Sequence, residues 1–220
     1  REIYEKAQSD VAAFWMQAAN AIDWHRAPTI ALDSSQPPFH RWFPDGEMNT
    51  CHNAVDRHVA AGRGDQKAII YDSPITGNAA SMTYAELQTA TSRFAGMLRK
   101  LGVGVGDRVI IYMPMIPEAV VAMLGCARLG AVHSVVFGGF AAAELAKRID
   151  DATPNSIISA SCGHEPNRIV AYKPLLDEAI ELSSHKPDSC VIYQREALAA
   201  DLVEGRDLEW HAAHELSLIH

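Results

Sequence analysis

The stretch that decides the fold runs from 108 to 137 and reads RVIIYMPMIPEAVVAMLGCARLGAVHSVVF. Apolar, β-branched runs at 108–112 and 131–136 predict two strands. Between them, Pro117 is placed to begin a helix and Gly130 to end it. A strand, a helix and a second strand in this order are typical of a βαβ unit, in which the two strands lie parallel.

The same alternation continues on both sides of this unit. Thr83 and Glu86 form the sequence pattern of a capping box, which predicts a helix that starts at 83 and ends before Gly102. We therefore predict an α/β fold with a mostly parallel sheet and covering helices. Further strands are predicted at 68–71, 156–160 and 190–193, and further helices at 141–151, 173–183 and around 210–216.

Residues 1–62 differ in character from the rest, being rich in Trp, Pro, His and Asn. Ser9 and Asp10 offer a cap for a helix that follows them. The chain at 33–46 contains two turn signals, Pro37-Pro38 and Pro44-Asp45-Gly46, and is predicted to be irregular. We interpret 1–62 as an irregular and helical extension that packs on the main domain.

Composition excludes several classes of function. The 220 residues carry 19 Lys and Arg against 27 Asp and Glu, and no basic block occurs, so a nucleic-acid partner is not expected. No apolar stretch reaches membrane-spanning length, so no membrane partner is expected either. No Cys-x-x-Cys pair occurs, which argues against structural zinc and a disulfide scaffold and favours reduced thiols. The four cysteines are Cys51, Cys126, Cys162 and Cys190.

Motifs for common enzyme classes are missing. The glycines at 102, 104 and 106 have the wrong spacing for a dinucleotide fingerprint and precede a strand, so they predict a helix end and a turn. This disfavours a nicotinamide-linked oxidoreductase. A phosphate-binding P-loop and a Gly-x-Ser-x-Gly nucleophile elbow are also absent. We predict no catalytic residue and no metal ligand in this chain.

Histidine pairs give a weaker signal. His211 and His214 are three residues apart and can share a helix face, but no third ligand stands at a metalloprotease spacing. A solvated helix face is the preferred interpretation. For His52 and His58, a buried hydrogen-bonding role is preferred to catalysis.

Ligands bind outside the carboxyl ends of parallel strands, which directs attention to the loops at 113–116, 137–140 and 161–168. Gly138 and Gly139 allow backbone amides to approach a ligand closely, at a helix start that favours an anion, although any tight turn can use two glycines. Arg168 can pair with a phosphate or stack on a purine. The alternative is a surface arginine paired with Glu165.

Five strings carry information beyond composition. They are WFPDG at 42–46, NTCHNAVDRH at 49–58, GDRV at 106–109, YMPMIPE at 112–118 and GAVHSVVFGGF at 130–140. In order and spacing they resemble the acetyl-CoA and propionyl-CoA synthetases of the adenylate-forming superfamily, and the resemblance extends from about 14 to 193. Residues 162–190 look more like the propionyl-CoA branch.

This resemblance implies an acid–thiol ligase that converts propionate or acetate, ATP and CoA to acyl-CoA, AMP and pyrophosphate. It implies ATP, Mg²⁺ and coenzyme A as cofactors and small molecules as partners. Residues 1–62 would be the amino-terminal extension, and 63–220 the first part of the large AMP-binding domain, truncated before the phosphate loop. We expect such a fragment to be inactive alone, to bind none of these cofactors by itself, and to self-associate through exposed apolar surface.

The alternative is a free-standing α/β module that binds a CoA-like nucleotide or a protein partner. For location, the cytoplasm is expected, with the mitochondrial matrix as the alternative.

The resemblance also implies a site. In acetyl-CoA synthetases a short basic loop contacts the coenzyme A nucleotide, and it aligns with Glu165, Pro166, Asn167 and Arg168. Only Arg168 matches in kind, since Glu165 replaces a basic residue. Asn167 stands where Gly is usual, and Asn tolerates a positive φ better than most residues. The turn at 138–139 belongs to the same region of the family's fold. The 42–58 segment is expected to pack the extension and not to touch substrate.

Overall fold

A five-stranded parallel sheet forms the centre of the protein, as seen in a computed structural model that describes residues 1–215. The strands in chain order are β1 (Leu32–Gln36), β2 (Phe39–Trp42), β3 (Lys67–Ser73), β4 (Asn78–Thr83), β5 (Arg108–Met113), β6 (Val132–Phe137), β7 (Ser156–Ala160), β8 (Cys162–Glu165), β9 (Arg168–Ala171), β10 (Ser189–Tyr193) and β11 (Asp207–Glu209). The central sheet has the order β11-β10-β7-β5-β6, and β1–β2, β3–β4 and β8–β9 form three antiparallel hairpins.

The helices are α1 (Glu2–Ser9), α2 (Val11–Ala19), α3 (Tyr84–Lys100), α4 (Pro117–Leu129), α5 (Ala142–Ala152), α6 (Tyr172–Leu182) and α7 (Trp210–His214), with short π-helical turns at His52–Asp56 and Val59–Arg63. Helices α3, α4 and α7 cover one face of the central sheet, and α5 and α6 cover the other. None of these helices is long and apolar enough to cross a membrane. The predicted α/β fold with a mostly parallel sheet is confirmed.

Strand β5 divides the core in two. It pairs with β6 on one side and β7 on the other, and its last five residues are buried. Alternation along the strand sends Ile111 into the cluster under α3 and α4, and Ile110 and Tyr112 into the cluster under α5 and α6. The strand–helix–strand order predicted for this stretch is confirmed.

Local chemistry sets the ends of the helices. The Glu86 amide donates to Thr83 Oγ1 at 3.3 Å and the Thr83 amide donates to Glu86 Oε2 at 2.7 Å, which is the predicted capping box. Helix α2 begins after Asp10, whose carboxylate accepts from the Ala13 amide at 2.9 Å. Gly102 and Gly130 follow α3 and α4 with φ of 86° and 72°, a region that favours glycine.

Several elements differ from the sequence prediction. The 33–46 stretch is not irregular throughout, because β1 and β2 pair as a hairpin with Pro37-Pro38 at its turn. The strand at 68–71 exists, but it pairs with the unpredicted β4 outside the central sheet. The sequence analysis did not predict helix α1, which buries no residue, or the three-residue strand β11, which depends on pairing with β10.

The 49–57 segment attaches the extension to the sheet domain. The Asn49 amide group donates to the carbonyls of Ala127 and Arg128 at the end of α4, both at 3.1 Å. Asn53 is buried and its side chain accepts from the Asp23 amide at 2.9 Å. The hydrogen-bonding role predicted for His52 and His58 is confirmed, since His52 pairs with Asp23 at 3.3 Å and His58 with Arg63. Both histidines remain partly exposed, so the predicted burial was wrong, and Asn53 takes the buried position.

All four cysteines are free and buried. Burial raises the pKa of the Cys126 and Cys190 thiols to about 12, so these groups stay protonated and unreactive at neutral pH.

Helix α7 corrects the interpretation of the histidine pair at its end. His211 is exposed, but the His214 ring packs 4.9 Å from the Trp210 ring and 5.8 Å from the Phe94 ring. Within the described residues, no group of three metal-binding side chains occurs. The solvated face predicted for both was wrong for His214, because tertiary contacts cover it. The predicted helix is confirmed over 210–214, and Leu216 lies outside the described residues.

We predict that His214 makes stability depend on pH. Burial, reinforced by His211 and Arg93, lowers its pKa from 6.5 to about 4, so between these pH values the unfolded chain binds a proton that the folded chain does not. The contribution of His214 to the free energy of unfolding is fully present above pH 6.5. The free energy of unfolding falls by about 1–3 kcal/mol as the pH drops toward 4. Urea unfolding at several pH values measures this. His214→Phe should flatten the dependence, and His211→Gln should weaken it only in part, because burial is the larger cause of the shift. A His214→Phe variant that follows wild type would contradict the prediction.

Candidate functional site

The carboxyl ends of β5 and β6 open onto a cavity of about 530 Å³. The β3–β4 turn lies across this opening and contributes further lining residues. This is the edge of a parallel sheet at which ligands are expected to bind. The residues that line the cavity include Met115, Phe137, Gly138, Glu165, Tyr172 and Arg195.

The turn after β6 has the sequence Phe137-Gly138-Gly139-Phe140 and is held from below by Tyr112. The Tyr112 hydroxyl donates to the Phe140 carbonyl at 3.0 Å and accepts from the Gly139 amide at 3.3 Å. Burial raises the Tyr112 pKa to about 12, so the hydroxyl keeps the proton that it donates. Gly139 has a φ of 91°, which requires glycine, and a Cβ there would meet nothing within 4 Å.

The position of Tyr172 leaves no room for a side chain at Gly138. An ideal Cβ at Gly138 would lie 2.4 Å from the Tyr172 hydroxyl oxygen, and one at Gly163 would lie 2.3 Å from the same atom. Tyr172 therefore sits between the glycine turn and the β8–β9 hairpin, where only positions without side chains fit. Gly138 is needed for this close packing, independently of any ligand.

The 161–168 stretch was predicted as a loop, but it contains an ordered hairpin. Strands β8 and β9 pair in register from Cys162 with Ala171 to Glu165 with Arg168, with Pro166 and Asn167 at the tip. Asn167 is not among the non-glycine residues with positive φ in the described chain. The tolerance for positive φ that the sequence analysis invoked is therefore not needed there.

Arg168 pairs with Glu165 at the hairpin tip. Its Nε donates to Glu165 Oε2 at 2.7 Å, and the two side chains are 71% and 46% exposed. The hydrogen bond from Arg168 lowers the Glu165 pKa, and the hydrogen bond to Glu165 raises the Arg168 pKa. Exposed pairs of this kind contribute little to stability, so an incoming phosphate can compete for the guanidinium.

The structure brings some of the sequence-predicted residues together. Gly138 and Glu165 line the same cavity, whereas Gly139, Asn167 and Arg168 lie outside its lining. Arg168 reaches it only through its partner Glu165. The predicted turn and the predicted loop therefore form two ends of one surface, with Tyr172 between them.

Sequence reasoning missed three residues of this surface, namely Tyr112, Tyr172 and Arg195. Tyr112 had a detectable signal, since it is an aromatic residue with a polar group at the end of an otherwise aliphatic strand. Tyr172 and Arg195 carried no such signal, because their importance depends on contacts with residues distant in sequence.

A buried ionic cluster supports the helix that carries Tyr172. Lys173 Nζ lies 2.6 Å from Asp177 and 2.9 Å from Asp207, with side chains of Lys173 and Asp207 only 4% and 0% exposed. Arg206 also contacts both carboxylates. Burial opposes ionisation of Asp207, but hydrogen bonds from Arg206, Val203 and Lys173 lower its pKa overall. The cluster joins the start of α6 to β11.

Comparison with known proteins identifies the family. The model for AMP-binding enzymes matches residues 56–215, and the model for the acetyl-coenzyme A synthetase N-terminus matches residues 1–54. The chain belongs to the AMP-binding enzyme family. The five-stranded parallel sheet is consistent with the amino-terminal domain of such an enzyme.

Two of three relatives with high sequence identity carry synthetase names. Acyl-CoA synthetase short-chain family member 3, mitochondrial, of Homo sapiens is 49% identical over 203 residues, 92% of this chain and 30% of that protein. Acetyl-coenzyme A synthetase of Streptomyces avermitilis is 46% identical over 210 residues, 96% of this chain and 32% of that protein. An uncharacterized protein of Pseudomonas aeruginosa is 53% identical over 207 residues, 94% of this chain and 33% of that protein. The chain thus spans about a third of the length of these relatives.

We predict that Gly138→Ala disturbs the site through Tyr172. The new methyl group overlaps the hydroxyl and ring of Tyr172, and overpacking of this kind costs about 1–3 kcal/mol. Chemical denaturation of the variant measures this. Gly104→Ala is the matched control, since a Cβ there meets only Asp107 at 3.7 Å. Adding Tyr172→Phe should restore part of the loss, and equal stabilities of Gly138→Ala and wild type would contradict the close packing.

Proposed function

We propose that the chain forms the amino-terminal part of a short-chain acyl-CoA synthetase. This enzyme joins a short carboxylic acid to coenzyme A through an acyl-adenylate, using ATP and releasing AMP and pyrophosphate. The observation that carries the proposal is the identity of 49% and 46%, over more than nine-tenths of the chain, to two proteins with acyl-CoA and acetyl-CoA synthetase names. The same similarity disfavours a free-standing binding module.

Within the whole enzyme, we assign 1–62 to the amino-terminal extension and 63–220 to the first part of the AMP-binding domain. Coenzyme A is proposed to lie along the surface formed by Gly138, Gly139 and the hairpin tip Glu165–Arg168. The exposed guanidinium of Arg168 suits a phosphate group, and the open space above Gly139 suits a chain that passes close to the backbone. Pro166 and Asn167 shape the tip between the paired side chains.

In this proposal the residues of this chain bind and orient coenzyme A. The Tyr112 and Tyr172 side chains hold the glycine turn and the hairpin at a fixed separation, which reduces the entropy lost when coenzyme A binds. Bound Mg²⁺ would neutralise charge on the ATP phosphates. The described residues offer no group of three side chains for a metal, so we assign Mg²⁺ to no residue of this chain and derive no step through it.

Propionate is the proposed acid, from the resemblance of residues 162–190 to the propionyl-CoA branch, with acetate as the alternative. The proposed location is the cytoplasm, and the mitochondrial matrix is the alternative because the human relative is named as mitochondrial. Small molecules are the proposed partners. Self-association through exposed apolar side chains of the edge strand β6, such as Val135 and Phe137, also remains a proposal.

The first test is catalysis by the whole enzyme. We expect pyrophosphate release with propionate, ATP and Mg²⁺, and acyl-CoA formation when coenzyme A is added. A series from acetate to butyrate, compared by kcat/KM, measures the preference, and propionate is expected to give the highest value. Absence of pyrophosphate release with every short acid would contradict the proposed function.

The second test asks whether the hairpin tip contacts coenzyme A or ATP. Arg168→Ala should raise the KM for coenzyme A several-fold and leave the KM for ATP unchanged, because a charge-assisted phosphate contact is lost. Glu165→Gln should act in the opposite direction and lower the KM for coenzyme A, since it frees Arg168 and removes a negative charge.

Arg99→Gln, at the exposed end of α3, is the matched control for a lost surface charge. If Arg168→Ala and Glu165→Gln both behave like Arg99→Gln, the hairpin tip does not contact coenzyme A.

A further inference from the structure

Arg195 occupies a fixed position at the base of the β8–β9 hairpin. Its backbone amide donates to the Ser161 hydroxyl at 2.8 Å, and its Nη1 donates to the Cys162 carbonyl at 3.2 Å. A side chain held at both its backbone and its guanidinium loses little further freedom when it binds a ligand.

Most donors of this guanidinium remain available. Among residues 1–215, the Cys162 carbonyl is the one hydrogen-bond acceptor of the Arg195 side chain, and no ion pair joins Arg195 to a carboxylate. A guanidinium has five N–H donors in a planar fork that matches phosphate geometry. Arg195 therefore presents a pre-positioned fork with unused donors.

Arg195 also faces two cavities. It lines the cavity of about 530 Å³ described above and a second of about 920 Å³, bounded by residues that include Glu118, Tyr193 and His211. In the part of the chain that the structure describes, it is the one lysine or arginine that lines either of them. His164 lines both cavities as well, and burial, with a contribution from Arg195, lowers its pKa.

Carboxylates also line these cavities, but among residues 1–215 none of them forms an ion pair with Arg195. Asp72 and Glu165 line the smaller cavity, and Glu118 and Glu196 line the larger one. Glu165 is engaged by Arg168. The carboxylates lower the attraction of the cavities as a whole for an anion, which confines anion binding to the immediate neighbourhood of Arg195.

We propose that Arg195 binds a phosphate group of a nucleotide substrate, as a second anion-binding residue beside Arg168. The inference rests on the proposed acyl-CoA synthetase function. Arg195 contacts the first residue of β8 and Arg168 pairs with the last one, and these two positions lie about 10 Å apart along the strand. A ligand with more than one phosphate group, such as coenzyme A or ATP, suits this arrangement.

The experiment measures binding of coenzyme A, dephospho-coenzyme A and ATP to the whole enzyme by calorimetry. Arg195→Gln is expected to weaken coenzyme A or ATP by about tenfold or more, because a charge-assisted contact is lost. Arg195→Lys should weaken the same ligand less, since it keeps the charge and loses the fork. Arg99→Gln is the control and should bind both ligands like wild type.

Comparison of the three ligands shows which phosphate group Arg195 contacts. Weakening of ATP alone assigns the contact to ATP. Weakening of coenzyme A but not of dephospho-coenzyme A assigns it to the 3′-phosphate, and equal weakening of both assigns it to the pyrophosphate. Arg195→Gln with wild-type affinity for coenzyme A and ATP overturns the inference.

A measurement on the wild-type enzyme covers the case in which Arg195→Gln does not fold. Phenylglyoxal modifies accessible arginines, and mass spectrometry of peptides quantifies modification at Arg195 with Arg99 as an internal reference. Protection of Arg195 by coenzyme A or ATP supports the inference, and protection by neither overturns it. Wild-type enzyme that shows this protection but activates no short acid would refute the proposed function and leave the phosphate contact standing.

Discussion

The close packing of Tyr172 between two backbone positions that lack side chains is the constraint on which the candidate site depends. Its hydroxyl oxygen lies only 2.4 Å from the position of a Cβ at Gly138 and 2.3 Å from that of a Cβ at Gly163, too close for either. The glycine turn and the β8–β9 hairpin cannot move independently while this ring is in place. Interiors packed at this density transmit displacement instead of absorbing it. A displacement of the turn should therefore displace the hairpin, although no hydrogen bond joins the two among residues 1–215.

The rest of the fold keeps Tyr172 in position. It is the first residue of α6, and its amide donates to the Ser161 carbonyl at 3.0 Å. The next residue, Lys173, belongs to the buried ionic cluster with Asp177, Arg206 and Asp207. Loss of one member would leave an uncompensated buried charge, which is strongly destabilising. The ring of Tyr112, 5.1 Å away, closes the other side.

Electrostatics at the site is divided between an exposed part and a sheltered part. Arg168 at the hairpin tip shares its charge with Glu165 in water, where such a pair is weak. Arg195 at the hairpin base is partly buried and held by Ser161 and Cys162. Charge-assisted contacts are worth more away from bulk water, because the local dielectric is lower. The proposed phosphate-bearing ligand would thus have an exposed cation at the hairpin tip and a partly buried, fixed cation at the base.

Sequence by itself determined the α/β class, the central strand–helix–strand unit, the capping box of α3 and the family, because these depend on periodicity, caps and ordered strings within short stretches. It also directed attention to the 137–140 turn and the 165–168 tip. It did not predict β1–β2, β4 or β8–β9 as hairpins, because pairing between neighbouring weak strands is decided by tertiary packing. Only the tertiary structure showed that His214 is covered by Trp210 and that Asn53 takes the buried polar role. It alone placed Tyr172 against Gly138 and Gly163 and Arg195 beside Cys162, since these contacts join residues from nine to 34 positions apart, and no local sequence pattern records which distant residues meet in space.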